Sequence, residues 1–98
     1  MANPLVAVRP QVSDRDLVSA VAAGDRAAFQ ELRLRYGATA YAVAYSVVVD
    51  PEQAEAAVSD AFAVARVQAG ELLARGASVA RWICQLTREA SSRFRAQS

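Results

Sequence analysis

The chain has 98 residues, a formal net charge of +1 and 54% hydrophobic residues, which indicates one domain with a modest core. Its single cysteine and its lack of histidine exclude an internal disulfide, a cysteine–histidine zinc site and histidine acid–base chemistry. No apolar run approaches the roughly 20 residues of a membrane span, and the start, MANPLVAVRP, lacks the features of a secretory signal. We therefore expect a cytoplasmic protein with no membrane partner, metal or cofactor.

The charged residues are unevenly distributed along the chain. All 11 basic residues are arginines. From Ala61 onward, six arginines are accompanied by only two acidic residues, Glu71 and Glu89. The other acidic residues lie earlier, so the pattern predicts a basic surface in the C-terminal part of the fold.

The N-terminal part of the chain predicts a flexible arm followed by a short helix. Residues 1–12 contain two prolines and show no hydrophobic period, and they precede a helical domain over residues 13–98. Ser13 is the expected N-cap of the first helix. Gly24 is expected to end that helix.

The second predicted helix begins after Asp25, which is its expected N-cap. Its apolar residues follow a helical period on both sides of Gly37, where the helix either breaks or bends. Residues 47–49 (VVV) favour a strand by composition alone. The helical period around them nevertheless predicts helix.

Two further helices are predicted in the second half. Residues 50–52 (DPE) combine an N-cap, a proline at the first helical position and an acid in the first turn. Gly70 is expected to end this helix, residues 70–78 to form a connection, and Ser78 to cap the last helix. The fold class is therefore all-α, a compact bundle of four to five helices. Its predicted core comprises Phe29, Leu32, Val43, Val47, Val58, Phe62, Ile83 and Leu86.

Catalysis is not expected. The chain shows no nucleophile–base pair, no glycine-rich phosphate loop after a strand, and no carboxylates with metal-ligand spacing. Cys84 lies beside the apolar face of the last helix and is read as a small, partly buried hydrophobic residue.

The last helix has a polar stripe opposite its apolar face. The stripe contains Arg81, Gln85, Arg88, Ser92 and Arg95. Arginine binds phosphate through a bidentate fork and stacks on exposed bases, so the stripe is either a nucleic-acid surface or an ordinary solvated face. Trp82 falls on the apolar side, which favours a core position, although an aromatic residue here can also face a single strand.

The helix after Asp50 offers a candidate protein-binding surface. Its polar residues off the apolar stripe are Glu52, Glu55, Ser59, Asp60 and Arg66. Ala56 and Ala63, expected to be exposed, would leave a flat face suited to contact with another helix. The alternative is a plain surface helix rich in alanine.

Three segments in order resemble region two of extracytoplasmic-function (ECF) sigma factors, over residues 13–95. The segment SDRDLVSAVAAGDRAAFQELRLRYG resembles the opening of that region, with its glycine-aspartate break and F-x-x-L-x-x-x-Y helix. DPEQAEAAVSDAF resembles the helix that binds core polymerase, usually D-P-x-D-A-E-D-x-x-Q-E-x-F. VARWICQLTREASSRFR resembles the promoter helix, whose pattern usually begins W-L-x-x-I-A-x-N.

The resemblance implies a bacterial transcription-initiation domain. The helix from Glu52 would dock on the clamp coiled coil of the polymerase β′ subunit. Glu55 and Asp60 would pair with arginines there, Ser59 and Arg66 would lie on the same surface, and Phe62 would anchor the helix to its own core. Residues 66–78 and the last helix would capture and open the promoter minus-ten element. The implied DNA-binding residues are Arg75, Arg81, Trp82, Gln85, Arg88, Glu89, Ser92 and Arg95.

Several positions depart from the family pattern. Ala56 stands in place of an aspartate and Ser59 in place of a glutamine on the polymerase-facing helix. Glu89 replaces the usual asparagine and Ser92 an aspartate on the promoter helix. In that family a second helical domain reads the minus-35 element, and the 98 residues do not include it, whether by truncation or by nature. The alternative is therefore a degenerate sigma-like module that binds polymerase, an anti-sigma factor or another regulator without melting a promoter.

Overall fold

Four α-helices follow one another in the computed structural model, which describes residues 12–97. The helices are α1 (Asp14–Ala22), α2 (Arg26–Val48), α3 (Pro51–Arg75) and α4 (Val79–Gln97), and no strand occurs in this part of the chain. The predicted all-α bundle is confirmed. The predicted arm falls on residues 1–11, which lie outside the described residues, and on Val12, which packs against the core and so belongs to the domain.

Each helix begins at a short polar side chain that accepts the backbone N–H three residues further on. The four N-caps are Ser13, Asp25, Asp50 and Ser78, all at positions where the sequence predicts them. At Asp50 the acceptor is Oδ2, 2.9 Å from the amide nitrogen of Gln53, and Pro51 occupies the first helical position. These caps satisfy amides that a helix leaves unpaired at its start.

A residue with a left-handed backbone conformation lies at or just after the end of each of the first three helices. Gly24 has a φ of 93° just after α1, and Gly76 has a φ of 67° at the end of α3. Val49, with a φ of 51°, ends α2, so two of the three valines at 47–49 are helical and the third is the cap. A β-branched residue is rare in the left-handed region. The next residue, Asp50, is the N-cap of α3.

The prediction that Gly70 ends the third helix is wrong. Helix α3 continues to Arg75, and the connection to α4 is residues 76–78 instead of 70–78. Leu72 is buried beyond Gly70, so the apolar face continues past the glycine. Burial of a leucine contributes about 1.5–3 kcal/mol and outweighs the roughly 1 kcal/mol by which glycine disfavours a helix. Gly37 likewise lies within α2, which does not break there.

The core lies where α4 packs across α2 and α3, with α1 against the other side of that pair. Of the eight predicted core residues, Leu32, Val58, Phe62, Ile83 and Leu86 are buried.

The predicted burial of the other three is wrong, because Phe29, Val43 and Val47 are only half-buried. The interior face of α2 is instead made by Leu32 and small residues, among them Ala40 and Ala44. Alanine side chains let neighbouring helix backbones approach closely, so the largest apolar residue is not always the central one.

Two polar residues of α4 lie fully inside this core, which the apolar pattern did not indicate. Thr87 Oγ1 donates to the carbonyl of Ile83 and Ser91 Oγ to that of Thr87, both at 2.7 Å. Each hydroxyl therefore has its hydrogen-bond partner within its own helix. Because the partners are local, the core tolerates both groups without a polar neighbour from another helix.

A polar cluster ties the start of α1 to the middle of α2. The Arg35 guanidinium donates to the Val12 carbonyl at 2.8 Å and pairs with Asp14 at 3.1 Å. The Tyr36 hydroxyl donates to the same Asp14 carboxylate. Burial, followed by the hydrogen bond and the negative charge of Asp14, raises the pKa of Tyr36 to about 12. These contacts hold Val12 and the start of α1 against α2.

Candidate nucleic-acid and protein interfaces

The predicted polar stripe of α4 is a continuous exposed surface, here called the arginine row. Its members Arg81, Gln85, Arg88, Ser92 and Arg95 are all exposed. At 3.6 residues per turn they fall within an arc of about 80° on the helix and span about 21 Å along its axis. The row therefore presents three guanidinium groups along one straight edge of the bundle.

The side of α4 opposite the row is packed into the core. Trp82 is 4% exposed and Ile83 is fully buried. The structure therefore places Trp82 in the core, the interpretation that the apolar pattern favoured, although Trp82 also lines a depression. Arg75, Arg81 and Gln85 line the same depression, which brings Arg75 from the end of α3 next to the start of the row.

The electrostatic character of the row depends on the acids near it. Among the described residues, no carboxylate forms an ion pair with Arg81, Arg88 or Arg95. Glu89 lies at the margin of the row, and its Oε2 accepts a hydrogen bond from Gln85 Nε2 at 3.4 Å. The row therefore carries three positive charges along its length, with a single negative charge beside its middle.

Cys84 lies on the flank of the row, at intermediate exposure as predicted. It lines a depression together with Arg81 and Arg88. Cys84 therefore adjoins two arginines of the row.

The outer face of α3 is the second candidate surface, here called the α3 face. Its predicted polar members Glu52, Glu55, Ser59, Asp60 and Arg66 are all exposed. The acids occupy its first turns, and Arg66 comes later. Phe62 is 0% exposed and therefore anchors the helix from the inside.

The α3 face differs from its sequence-based description at two positions. Ala56, expected to be exposed, is half-buried, whereas Ala63 is exposed. Val67 is 82% exposed, seven residues after Asp60 and so on the same side of the helix. The apolar period gave no sign of an exposed valine there, because a single apolar residue outside the stripe is common on protein surfaces.

The sequence also did not reveal that two arginines make cation–π contacts with the aromatic residues that join α2 and α3. The Arg66 guanidinium carbon lies 5.4 Å from the centroid of the Phe29 ring, and that of Arg33 lies 5.4 Å from the Phe62 ring. The two rings meet edge to face at 6.5 Å. These contacts span residues far apart in the chain, so no local spacing could indicate them.

Two classes of site find no support among residues 12–97. No group of three or more histidine, cysteine, aspartate or glutamate side chains is placed to hold a metal ion. None of the four helices combines the length and the apolarity needed to cross a bilayer.

Comparison of the chain with protein-family models, with curated proteins and with solved structures gives no match.

Proposed function

We propose that this chain is a sigma-factor-like transcription-initiation domain of a bacterial cytoplasm, which binds core RNA polymerase and contributes to recognition and melting of the promoter minus-ten element. The observation that supports the proposal most strongly is the arginine row. It combines three exposed guanidinium groups with an opposite helix face that is held rigidly in the core. A rigid helix keeps its phosphate contacts in register, which a flexible basic tail does not.

The row suits a single strand that lies along α4. Guanidinium groups bind phosphates through two parallel N–H donors and also stack on unpaired bases. The span of about 21 Å along the helix matches several nucleotides. Arg75, which shares the depression at the start of the row, extends the cationic edge toward the connection at residues 76–78.

The α3 face supplies the proposed polymerase contact. Glu52, Glu55 and Asp60 are exposed over the first turns of α3, and they would pair with arginines of the β′ clamp coiled coil. Ser59 and Arg66 would lie within the same contact, with the buried Phe62 holding the helix in place. Core polymerase would then bind acidic residues of α3, and the DNA strand would bind arginines of α4.

The DNA contact is tested by a shift assay with a single-stranded minus-ten oligonucleotide. Arg88→Ala is expected to weaken binding about tenfold, because a charge-assisted hydrogen bond contributes about 1.5 kcal/mol. It should also reduce the slope of log affinity against log salt by about 0.7, the value for one lost phosphate contact on a single strand. Arg93→Ala is the matched control, because Arg93 is exposed on the same helix but lies outside the row. Equal effects of the two substitutions would contradict the proposal.

The polymerase contact is tested by a pull-down with core enzyme. Glu55→Arg reverses one charge of the α3 face and is expected to abolish retention of the chain. Glu89→Arg makes the same change at an exposed position of α4, away from the α3 face, and should leave retention unchanged. Retention of the Glu55→Arg chain at the level of the unaltered one would remove the α3 face from the proposal.

A second candidate is the degenerate sigma-like module that binds polymerase, an anti-sigma factor or another regulator but melts no promoter. The observation in its favour is the Glu89 carboxylate, which bonds to Gln85 and sets a negative charge beside the middle of the row. This module would bind its protein partner and show no strand binding even at low salt. The two assays together therefore separate the candidates.

A further inference from the structure

A second cationic site lies away from the arginine row, in a cavity of about 650 Å³ between the α1–α2 turn, α2 and α3. It is here called the arginine groove. The residues that matter for its chemistry are Val21, Asp25, Arg26, Phe29, Arg33 and Arg66. The volume lies within the range of about 300–1,000 Å³ that small-molecule sites occupy.

Two of the three arginines in the groove are held by aromatic rings. The guanidinium carbons of Arg33 and Arg66 each lie 5.4 Å from the centroid of a phenylalanine ring, as described above. No hydrogen bond within residues 12–97 uses the N–H donors of Arg33 or Arg66, so these donors are available to a ligand. The groove therefore has uncommitted donors from two different helices.

The charges in the groove are not balanced by the protein. No carboxylate of residues 12–97 forms an ion pair with Arg26, Arg33 or Arg66. Asp25 is the acid of the lining, and its Oδ1 already accepts the backbone N–H of Ala28 at 3.1 Å. Three guanidinium groups and one carboxylate give the lining a net charge of about +2, so a dianion would neutralise it.

We propose that the arginine groove binds a small phosphorylated ligand through its phosphoryl dianion. A phosphate monoester carries close to two negative charges at neutral pH, and its oxygens accept from several guanidinium groups at once. A phosphodiester of a nucleic-acid backbone carries only one charge per phosphate. Phe29 and Val21 provide an apolar wall for the organic part of the ligand. The site is separate from the arginine row and shares only Arg66 with the α3 face.

Calorimetric titration of the whole chain tests the site with four probes. These are inorganic phosphate, adenosine 5′-monophosphate, dimethyl phosphate and adenosine. The two dianions should bind, with affinities at least tenfold above those of the monoanionic diester and the uncharged nucleoside. Tighter binding of the nucleotide than of inorganic phosphate would identify a phosphate ester as the ligand, and equal affinities would identify the free anion.

The pH dependence gives a second readout that belongs to the ligand. The second ionisation of a phosphate monoester lies near pH 6, and the chain has no histidine that would titrate there. The affinity for adenosine 5′-monophosphate should therefore rise about tenfold between pH 5 and pH 7. A flat profile would overturn the proposal.

The substitutions Arg26→Gln and Arg33→Gln should each lower the affinity for the dianions about tenfold. Arg26 makes no ion pair or ring contact within the described residues, so its replacement leaves the fold intact even where loss of Arg33 would loosen it. Arg93→Gln is the matched control and should bind like the unaltered chain. Arg88→Gln should also keep dianion binding while its binding of the minus-ten strand weakens, which separates this site from the arginine row.

Three results would overturn the proposal. The first is that neither dianion binds to the unaltered chain. The second is that the groove substitutions have no larger effect than Arg93→Gln. The third is that a minus-ten oligonucleotide displaces the bound dianion and is itself weakened by Arg26→Gln, which would make the groove part of a nucleic-acid surface.

Discussion

Helices α3 and α4 pack against each other, yet they reach the same core with different residues. The interior side of α3 is made mainly of alanines, with Phe62 and Leu72 as its large members. The interior side of α4 carries Trp82, Ile83 and Leu86, and also the buried hydroxyls of Thr87 and Ser91. Small residues on one helix and large ones on the other allow close packing without voids.

The outer sides of the same two helices differ in charge. The α3 face begins with Glu52, Glu55 and Asp60, whereas the arginine row on α4 is cationic. A net charge of +1 for the whole chain therefore conceals two surfaces of opposite sign. The chemistry of a partner therefore depends on where charges lie on the fold, and the net charge of the chain does not reveal it.

The largest effect is expected at the core side of α3. Phe62→Ala removes a fully buried ring and leaves a cavity, so it should lower the free energy of unfolding by about 3–5 kcal/mol. Urea denaturation followed by circular dichroism measures this. Val67→Ala, at an exposed position of the same helix, should change stability by no more than about 0.5 kcal/mol. Similar losses for both variants would show that α3 does not have the inner and outer sides described.

The next effect concerns the length of α3. Gly70→Ala should raise the free energy of unfolding by about 0.5–1 kcal/mol, because an added Cβ at this helical position meets no atom within 4 Å. Gly76→Ala should lower it by about 1 kcal/mol, since Gly76 has a left-handed φ of 67°. Thermal unfolding of the pair checks both signs. Destabilisation by Gly70→Ala would indicate that the helix ends at Gly70 after all.

A smaller effect sharpens the difference in outer charge. Glu89→Gln removes the negative charge beside the arginine row and should strengthen minus-ten strand binding about threefold, because a surface charge contact contributes under about 1 kcal/mol. The oligonucleotide shift at low salt measures it, with Glu55→Gln, the same change on the α3 face, as the control. If the two variants bind alike, Glu89 does not act on the strand.

The last effect appears only above pH 10 and lies outside α3 and α4, in the polar cluster that joins α1 and α2. Burial and Asp14 raise the pKa of Tyr36 to about 12, above its ordinary value of 10.0. The fold thus favours the neutral phenol, and this contribution to stability is present below about pH 10 and lost as the pH rises toward 12. Between these pH values the unaltered chain should lose more stability than Tyr36→Phe, as measured by urea unfolding. Parallel losses would contradict the role of Tyr36.

Local sequence patterns were sufficient for the helices and their starts. The N-caps at Ser13, Asp25, Asp50 and Ser78 act on amides three residues away, so their signal lies within one turn of chain. The amphipathic period of α4 likewise indicated which side carries the arginine row. The same reasoning failed at Gly70, because the burial of Leu72 against other helices outweighs a local preference.

By itself, the sequence determined that the chain forms helices, where each begins, and which residues of α4 face outward, since these follow from interactions between neighbours along the chain. Only the tertiary structure decided that Ala40 and Ala44 occupy the interior of α2 while Val43 and Val47 remain half-buried. It alone placed Arg33 and Arg66 on the rings of Phe62 and Phe29. The physical reason is that packing depends on distances between helices, which no spacing within one helix encodes.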